Sequence, residues 1–304
     1  MLAEMGVKTL AVDLDPQANL TSAFLTESKL ETLWSSNKGT ILSAVDPILE
    51  GTGDIAYLDP LEVRDELFLI AGDLGLSRFE DKLSDSWSKG FNGDKAALRA
   101  TSAFHRIIQT TAQSIGAQLA LMDVGPNLGA INRSSLLAAD HLLIPLAADL
   151  YSLQGLRNLG PSVRTWRNDW KLSLERASPH IDFSLPSGAM TPIGYVVLQH
   201  AVRLDRPVKA FGKWLDLIPS EYRTSVLGQT TPGLFAPGSS DPDCLASLRN
   251  YRSLMPLAQD ARKPMFDLKP ADGAIGSHSQ YVQTCYDEFR NLTIDILRRT
   301  QISV

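Results

Sequence analysis

Apolar and polar positions along the chain follow two alternating rhythms. Short apolar runs recur at residues 9–12, 66–70, 118–123, 141–147 and 191–199. Between them, apolar residues return every three or four positions. The first pattern reads as buried strands and the second as amphipathic helices. The spacing predicts helices over 20–33, 40–49, 101–115, 128–139, 149–176 and 280–302. In the helix over 149–176, Trp166 and Trp170 are expected to serve packing, not base stacking. In the helix over 280–302, Tyr281, Cys285, Phe289, Leu292 and Ile296 are expected to face inward. Residues 77–100 read as a helix followed by a partly exposed loop. Pro232, Pro237, Pro242 and several glycines mark 218–248 as a long loop or insertion. Strands separated by helices give the βαβ rhythm of an α/β fold, a doubly wound, mostly parallel sheet flanked by helices. One domain over 1–304 is expected.

Composition narrows this picture. A 304-residue chain with 44% hydrophobic residues can bury a sizeable core. It has no apolar run long enough for a transmembrane helix. Residues 1–14 carry Glu4 and Asp13 and no signal-peptide pattern. Two cysteines, Cys244 and Cys285, fit free thiols in a reducing, cytoplasmic compartment. The five histidines are scattered singly, without metal-ligand spacing. The net charge of −5 is uneven: acidic up to residue 150, then basic to residue 263. Within the basic part, Arg203, Arg206, Lys209 and Lys213 fall at helical spacing and form a candidate DNA-binding face.

Two stretches carry candidate chemistry. Residues 11–21, AVDLDPQANLT, are a strand running into a loop with Asp13 and Asp15 at the junction. Ligands bind α/β sheets at the carboxyl ends of strands. The two carboxylates are expected to point apart, one toward a metal and one toward a water. Residues 118–126, QLALMDVGP, form an apolar run ending in Asp123 before a Gly125-Pro126 turn. A hydrophobic strand ending in Asp is the pattern that holds the Mg²⁺ of a bound nucleotide.

Together these stretches resemble the ParA/MinD family of deviant-Walker P-loop ATPases, in its partition branch. AVDLDPQANLT is similar to the family's switch I. LMDVGPNLGAINRSSLLAADHLLIPLAADLYSLQGL is similar to its Walker B strand, switch II and the helix and strand that follow. LMPLAQDARKPMFDL resembles the late segment that passes the nucleotide. The resemblance implies a P-loop NTPase-like sheet, with ATP and Mg²⁺ as cofactors and hydrolysis of ATP to ADP and phosphate. It implies that Asp15 positions the attacking water, that Asp123 holds Mg²⁺, and that Asp13 stands behind the metal. Pro16, Gln17, Asn19, Gly125 and Pro126 would belong to the nucleotide-sensing switches, and Met255 and Pro256 would lie beside the adenine. An ATP-dependent homodimer, non-specific DNA binding at the nucleoid and a partner protein that stimulates hydrolysis are also implied. The last predicted helix carries Asp287, Glu288 and Asp295 and no basic stripe, so it is not expected to dock on a membrane. Where the family has Thr-Pro-Pro, this chain has Val124-Gly125-Pro126, which removes a hydroxyl from switch II.

The family's phosphate-binding loop is not found among the 304 residues: no G-x-x-x-x-G-K-S/T occurs. Gly6-Val7-Lys8-Thr9 leads into a strand, whereas a phosphate loop leads into a helix. Aligned with the family, residues 1–5 read as the tail of a first helix, with Gly6 as its cap. The first strand and phosphate loop would then precede Met1. The expectation is an inactive chain whose sheet has a groove beside the Asp15 and Asp123 strands. The alternatives are a non-hydrolysing scaffold or regulatory relative, or a regulator from another deviant-Walker branch. A metal-insertase branch would want a C-x-x-C, and neither cysteine lies in one.

Overall fold

The computed structural model describes residues 1–36, 38–198, 208–230, 241–251 and 253–303, with the backbone alone at 208–211 and 277. The described chain forms two compact units, Leu2–Asp140 with Trp166–Met190, and His141–Thr165 with Thr191–Ser303. The fold is α/β, as the pattern predicts.

In the first unit, β1 (Thr9–Asp13), β2 (Leu61–Arg64), β3 (Leu67–Ile70) and β4 (Leu119–Asp123) form a sheet in the order β2-β3-β1-β4. β1 is parallel to both β3 and β4, while β2 returns antiparallel along β3. Side chains alternate across a strand. Leu10 and Val12 of β1 therefore face one core, with Ile41, Val45, Phe79, Phe104 and Ile107. Ala11 faces the other, with Leu69, Leu20, Phe24 and Leu33. Helices α1 (Asn19–Phe24) and α2 (Glu27–Ser36) supply the second layer. The first is built from α3 (Ile41–Leu49), α4 (Phe79–Gly90), α6 (Ala103–Ile115) and α7 (Ala130–Leu137), with α5 (Lys95–Thr101) preceding α6. All five residues of β1 are buried, because strands pair on both of its sides. No residue of β4 is buried, and Leu121 is 46% exposed. Among the described residues β4 pairs with β1 alone, so it is an edge strand despite its apolar sequence.

In the second unit, β5 (His141–Ala147), β6 (Thr191–Leu198) and β7 (Cys244–Leu248) form a parallel sheet in that order, with β5 at one edge. Helix α8 (Leu150–Arg176) contributes to both units. α9 (Val208–Glu221), α10 (Leu254–Ala261) and α11 (Ser277–Thr300) complete the second unit.

Several expectations change. The helix predicted over 20–33 breaks at Leu25, whose backbone is extended; the Thr26 hydroxyl accepts from Lys29 N–H and starts α2. The loop expected after α4 contains α5, capped by Asp94. Residues 3–5 form a 3₁₀ turn that Gly6 closes at φ +81°, so the glycine cap holds. Both ends of the expected loop 218–248 are ordered. α9 runs to Glu221, a π-helical turn spans Tyr222–Val226, and β7 closes the segment; 231–240 lie outside the described residues. Buried Arg223 pairs with Asp241 and Asp243, and the buried Tyr195 hydroxyl donates to Asp241, which fixes the strand's entry. In α11, Val282, Cys285 and Phe289 make the apolar stripe, which leaves Tyr281 50% exposed. Trp166 and Trp170 are buried, and Trp170 stacks on Trp87 at 6.4 Å, so the pair is core packing.

The contrast between β1 and β4 is measurable. Leu10→Ala should cost about 2–5 kcal/mol in urea unfolding, whereas Leu121→Thr should stay within about 0.5 kcal/mol. An equal loss at both positions would mean that another strand covers β4.

Candidate functional site

The register of β1 on β4 sets Asp13 opposite Asp123 at the carboxyl ends of both strands. The ladder continues one step, with Leu14 N–H donating to the Asp123 carbonyl at 2.9 Å. β1 ends at Asp13, and the chain then turns. Residues two apart share a face of a strand, so it is this turn that sends the two carboxylates apart. The Asp15 carboxylate accepts from Gln17 N–H at 3.0 Å, and its carbonyl accepts from Ala18 N–H at 2.9 Å. Ala18 takes φ +53°, an uncommon backbone state for a residue with a side chain. The Asp15 carboxylate reaches Gly125 in the loop after β4: a Cβ on Gly125 would lie 3.3 Å from it. Asp13, Asp15 and Asp123 thus meet at one corner of the sheet.

The charges acting there are negative. The Asp123 carboxyl is pushed above the ordinary carboxylate value, first by desolvation and then by the charges of Asp13 and Asp15. Asp13 is also raised, by burial, against the opposing effect of hydrogen bonds from Thr21. Asp13 has no exposed surface. One of its oxygens accepts from Thr21 N–H at 2.8 Å and from the Thr21 hydroxyl at 2.6 Å; the other accepts from Asp15 N–H at 3.3 Å. These three bonds tie Asp13 to the chain on the face of β1 that carries α1. Among the described residues no group of three or more potential ligands is arranged around a metal position.

The loop after Asp123 is held as tightly. Asn132 donates to the carbonyls of Gly125 and Asn127, each at 2.6 Å. Glu80 of α4 accepts from Ala130 N–H at 2.5 Å and Ile131 N–H at 2.8 Å, so a carboxylate caps the N-terminus of α7. Gly129 is needed there, since a Cβ would meet Glu80 at 2.6 Å. Val124, standing where the family has Thr, packs against the core.

Of the other residues singled out, Pro16 and Gln17 lie in the turn after Asp15, and Asn19 opens α1 and donates to Gln17 at 3.1 Å. Gly125 is buried and Pro126 exposed. Met255 and Pro256 are exposed on α10 in the second unit, while the three aspartates belong to the first. Arg203 and Arg206 lie outside the described residues. Lys209 is placed by backbone in α9, and exposed Lys213 rests 5.2 Å over the Trp214 ring. Sequence reasoning missed Thr21, Gly72 and Glu80. Their partners are eight or more residues away, beyond any local pattern.

A family model described as an AAA domain matches residues 1–176. The chain belongs to the ParA/MinD family of P-loop ATPases. It is 28% identical over 163 residues to the sporulation initiation inhibitor protein Soj of Bacillus subtilis, covering 54% of this chain and 55% of Soj. It is 31% identical over 161 residues to the chromosome partitioning protein ParA of Myxococcus xanthus, covering 52% and 48%. The chain thus spans about half the length of these curated relatives. Its fold is similar to protein DIP2308 of Corynebacterium diphtheriae, with TM-score 0.65, 22% identity and 86% and 89% of the two chains covered. It is also similar to an ATP complex of Cyanothece McdA, with TM-score 0.58, 15% identity and 97% and 88% covered.

Asp123 makes a pH prediction. Its raised carboxyl lets the folded chain bind a proton more readily than the unfolded chain does. Stability is therefore lost as pH rises from 3.8 through the raised value. Asp123→Asn should be more stable than the parent at pH 7, by about 0.5 kcal/mol or less given its solvent screening. The gain should vanish below the ordinary carboxylate range. Urea unfolding of both proteins from pH 3 to 8 checks this.

Proposed function

We propose that this chain acts as a ParA-type ATPase module for plasmid or chromosome partition or cargo positioning. ATP hydrolysis would be coupled to homodimerisation, to non-specific DNA binding at the nucleoid and to stimulation by a partner protein. The observation that carries the reading is the meeting of Asp15, in the turn after β1, with Asp123, at the carboxyl end of the parallel strand β4. Such a corner suits a phosphate-bound cation, because the charges acting on Asp123 there are all negative. Mg²⁺ commonly keeps waters and takes one or two carboxylates plus phosphate oxygens, which fits a corner without a closed ligand cage. When bound, Mg²⁺ would neutralise charge on the transferring phosphoryl group. Asp123 would hold it, and Asp15, kept in place by its turn, would orient the attacking water. No described helix is long and apolar enough to cross a membrane.

Phosphate affinity is a separate requirement. Gly-rich loops at helix N-termini supply N–H groups and a lysine to the triphosphate, and no such motif occurs in these 304 residues. Isothermal titration of this chain with Mg²⁺-ATP should therefore show no micromolar binding. Micromolar affinity would mean that another part of the chain cradles the phosphates. In a form carrying a relative's strand, Gly-rich loop and helix ahead of Met1, slow ATP turnover is expected. Asp15→Ala should lower that turnover at least about tenfold while ATP still binds; normal turnover would remove Asp15 from the water-positioning role. If the extended form binds no ATP, the scaffold reading is favoured.

The DNA-binding face is tested in the same extended form. Replacing Arg203, Arg206, Lys209 and Lys213 with Ala should weaken duplex binding. It should also flatten the salt dependence by about 0.9 in logarithmic slope for each phosphate that is no longer neutralised. An unchanged slope would move the DNA site elsewhere.

A further inference from the structure

We infer that Asp13 is a positioning residue that acts through Thr21, locking the Asp15 turn to the end of β3. Helix α1 is preceded by Ala18, which has no side-chain oxygen to accept the first free N–H groups. Asp13 supplies that oxygen from β1, accepting from Thr21 N–H at 2.8 Å. The Thr21 hydroxyl does two things at once: it donates to Asp13 at 2.6 Å and accepts from Gly72 N–H at 2.8 Å. Asp13 and Thr21 have no exposed surface, so each of these bonds stands in place of water. Gly72 is required by space: a Cβ there would lie 2.7–3.0 Å from all three atoms of the Asp13 carboxyl group. The Gly72 carbonyl accepts from the Trp34 indole at 3.2 Å, and neighbouring Asp73 accepts from the Thr40 hydroxyl at 2.9 Å. One hydroxyl thereby joins β1, the start of α1 and the β3 loop, with Asp15 between the first two.

That Asp15 is what this latch serves at a nucleotide rests on the function proposed above; the latch itself does not. Residue-resolved hydrogen exchange on the 304-residue chain tests it without nucleotide. In the parent, the Thr21 and Gly72 amides should open together, with protection equal to within about threefold; a difference above about tenfold would overturn the latch. Thr21→Val should speed exchange of both amides and of Gln17 at least about tenfold, and Thr21→Ser should restore it. Asp13→Asn should match Thr21→Val, and the double variant should be no faster than either. Mn²⁺, followed by water-proton relaxation, separates positioning from ligation. Both single variants should weaken its binding by a similar factor. Loss of Mn²⁺ in Asp13→Asn alone, with Thr21→Val unaffected, would make Asp13 a ligand and overturn the proposal. If the parent binds no Mn²⁺, the metal part of the proposed function fails, while the exchange results still decide the latch.

Discussion

Pairing of β1 with β4 is the constraint on which the rest of the first unit depends. The parallel register brings two strand ends, each bearing an aspartate, side by side, and the turn after β1 adds a third carboxylate. Three negative charges at one corner repel one another, and partial burial strengthens the repulsion. The chain meets this in two ways. Asp13 is satisfied inside, by Thr21 and the Asp15 backbone. Asp15 and Asp123 are left facing outward, where a cation can reach them.

Both helices that start beside this corner have their N-termini capped by a carboxylate from elsewhere. Asp13 caps α1 and Glu80 caps α7. Free helix N-termini attract anions through unpaired N–H groups and the helix dipole. Here Thr21 N–H of α1 and Ala130 and Ile131 N–H of α7 are already engaged by carboxylates, which ties the two loops to the rest of the unit. On the function proposed above, the corner would hold a cation and a water, and phosphate binding would come from a different part of a working assembly.

The sheet's two faces explain why the corner is stable although β4 is an edge. β1 is covered on both sides by separate apolar layers, and its neighbour β3 is held by the β2 hairpin. β4 contributes Ala120 and Met122 to one layer and leaves Leu121 exposed. The aspartates therefore sit at the boundary between a closed core and an open strand edge.

Elements whose signal is local were legible in the residues. Strands β1, β3, β4, β5 and β6 follow short apolar runs, and helices α3, α6 and α8 follow period-3.6 apolar patterns, within one or two residues. Asp15 and Asp123 stand out as acids that end apolar runs. The sequence also carried the family, through the order of AVDLDPQANLT and LMDVGP along the chain. It missed β2, which has no continuous apolar run and forms because β3 offers it a partner. It missed the break at Leu25, where the Thr26 cap competes with helical spacing. The role of Asp13 was out of reach. A carboxylate at a strand end looks the same in sequence whether it faces a metal or a hydroxyl. Only the packing of α1 and the β3 loop against β1 puts Thr21 on its oxygens, sets Gly72 N–H on the Thr21 hydroxyl and shuts out water.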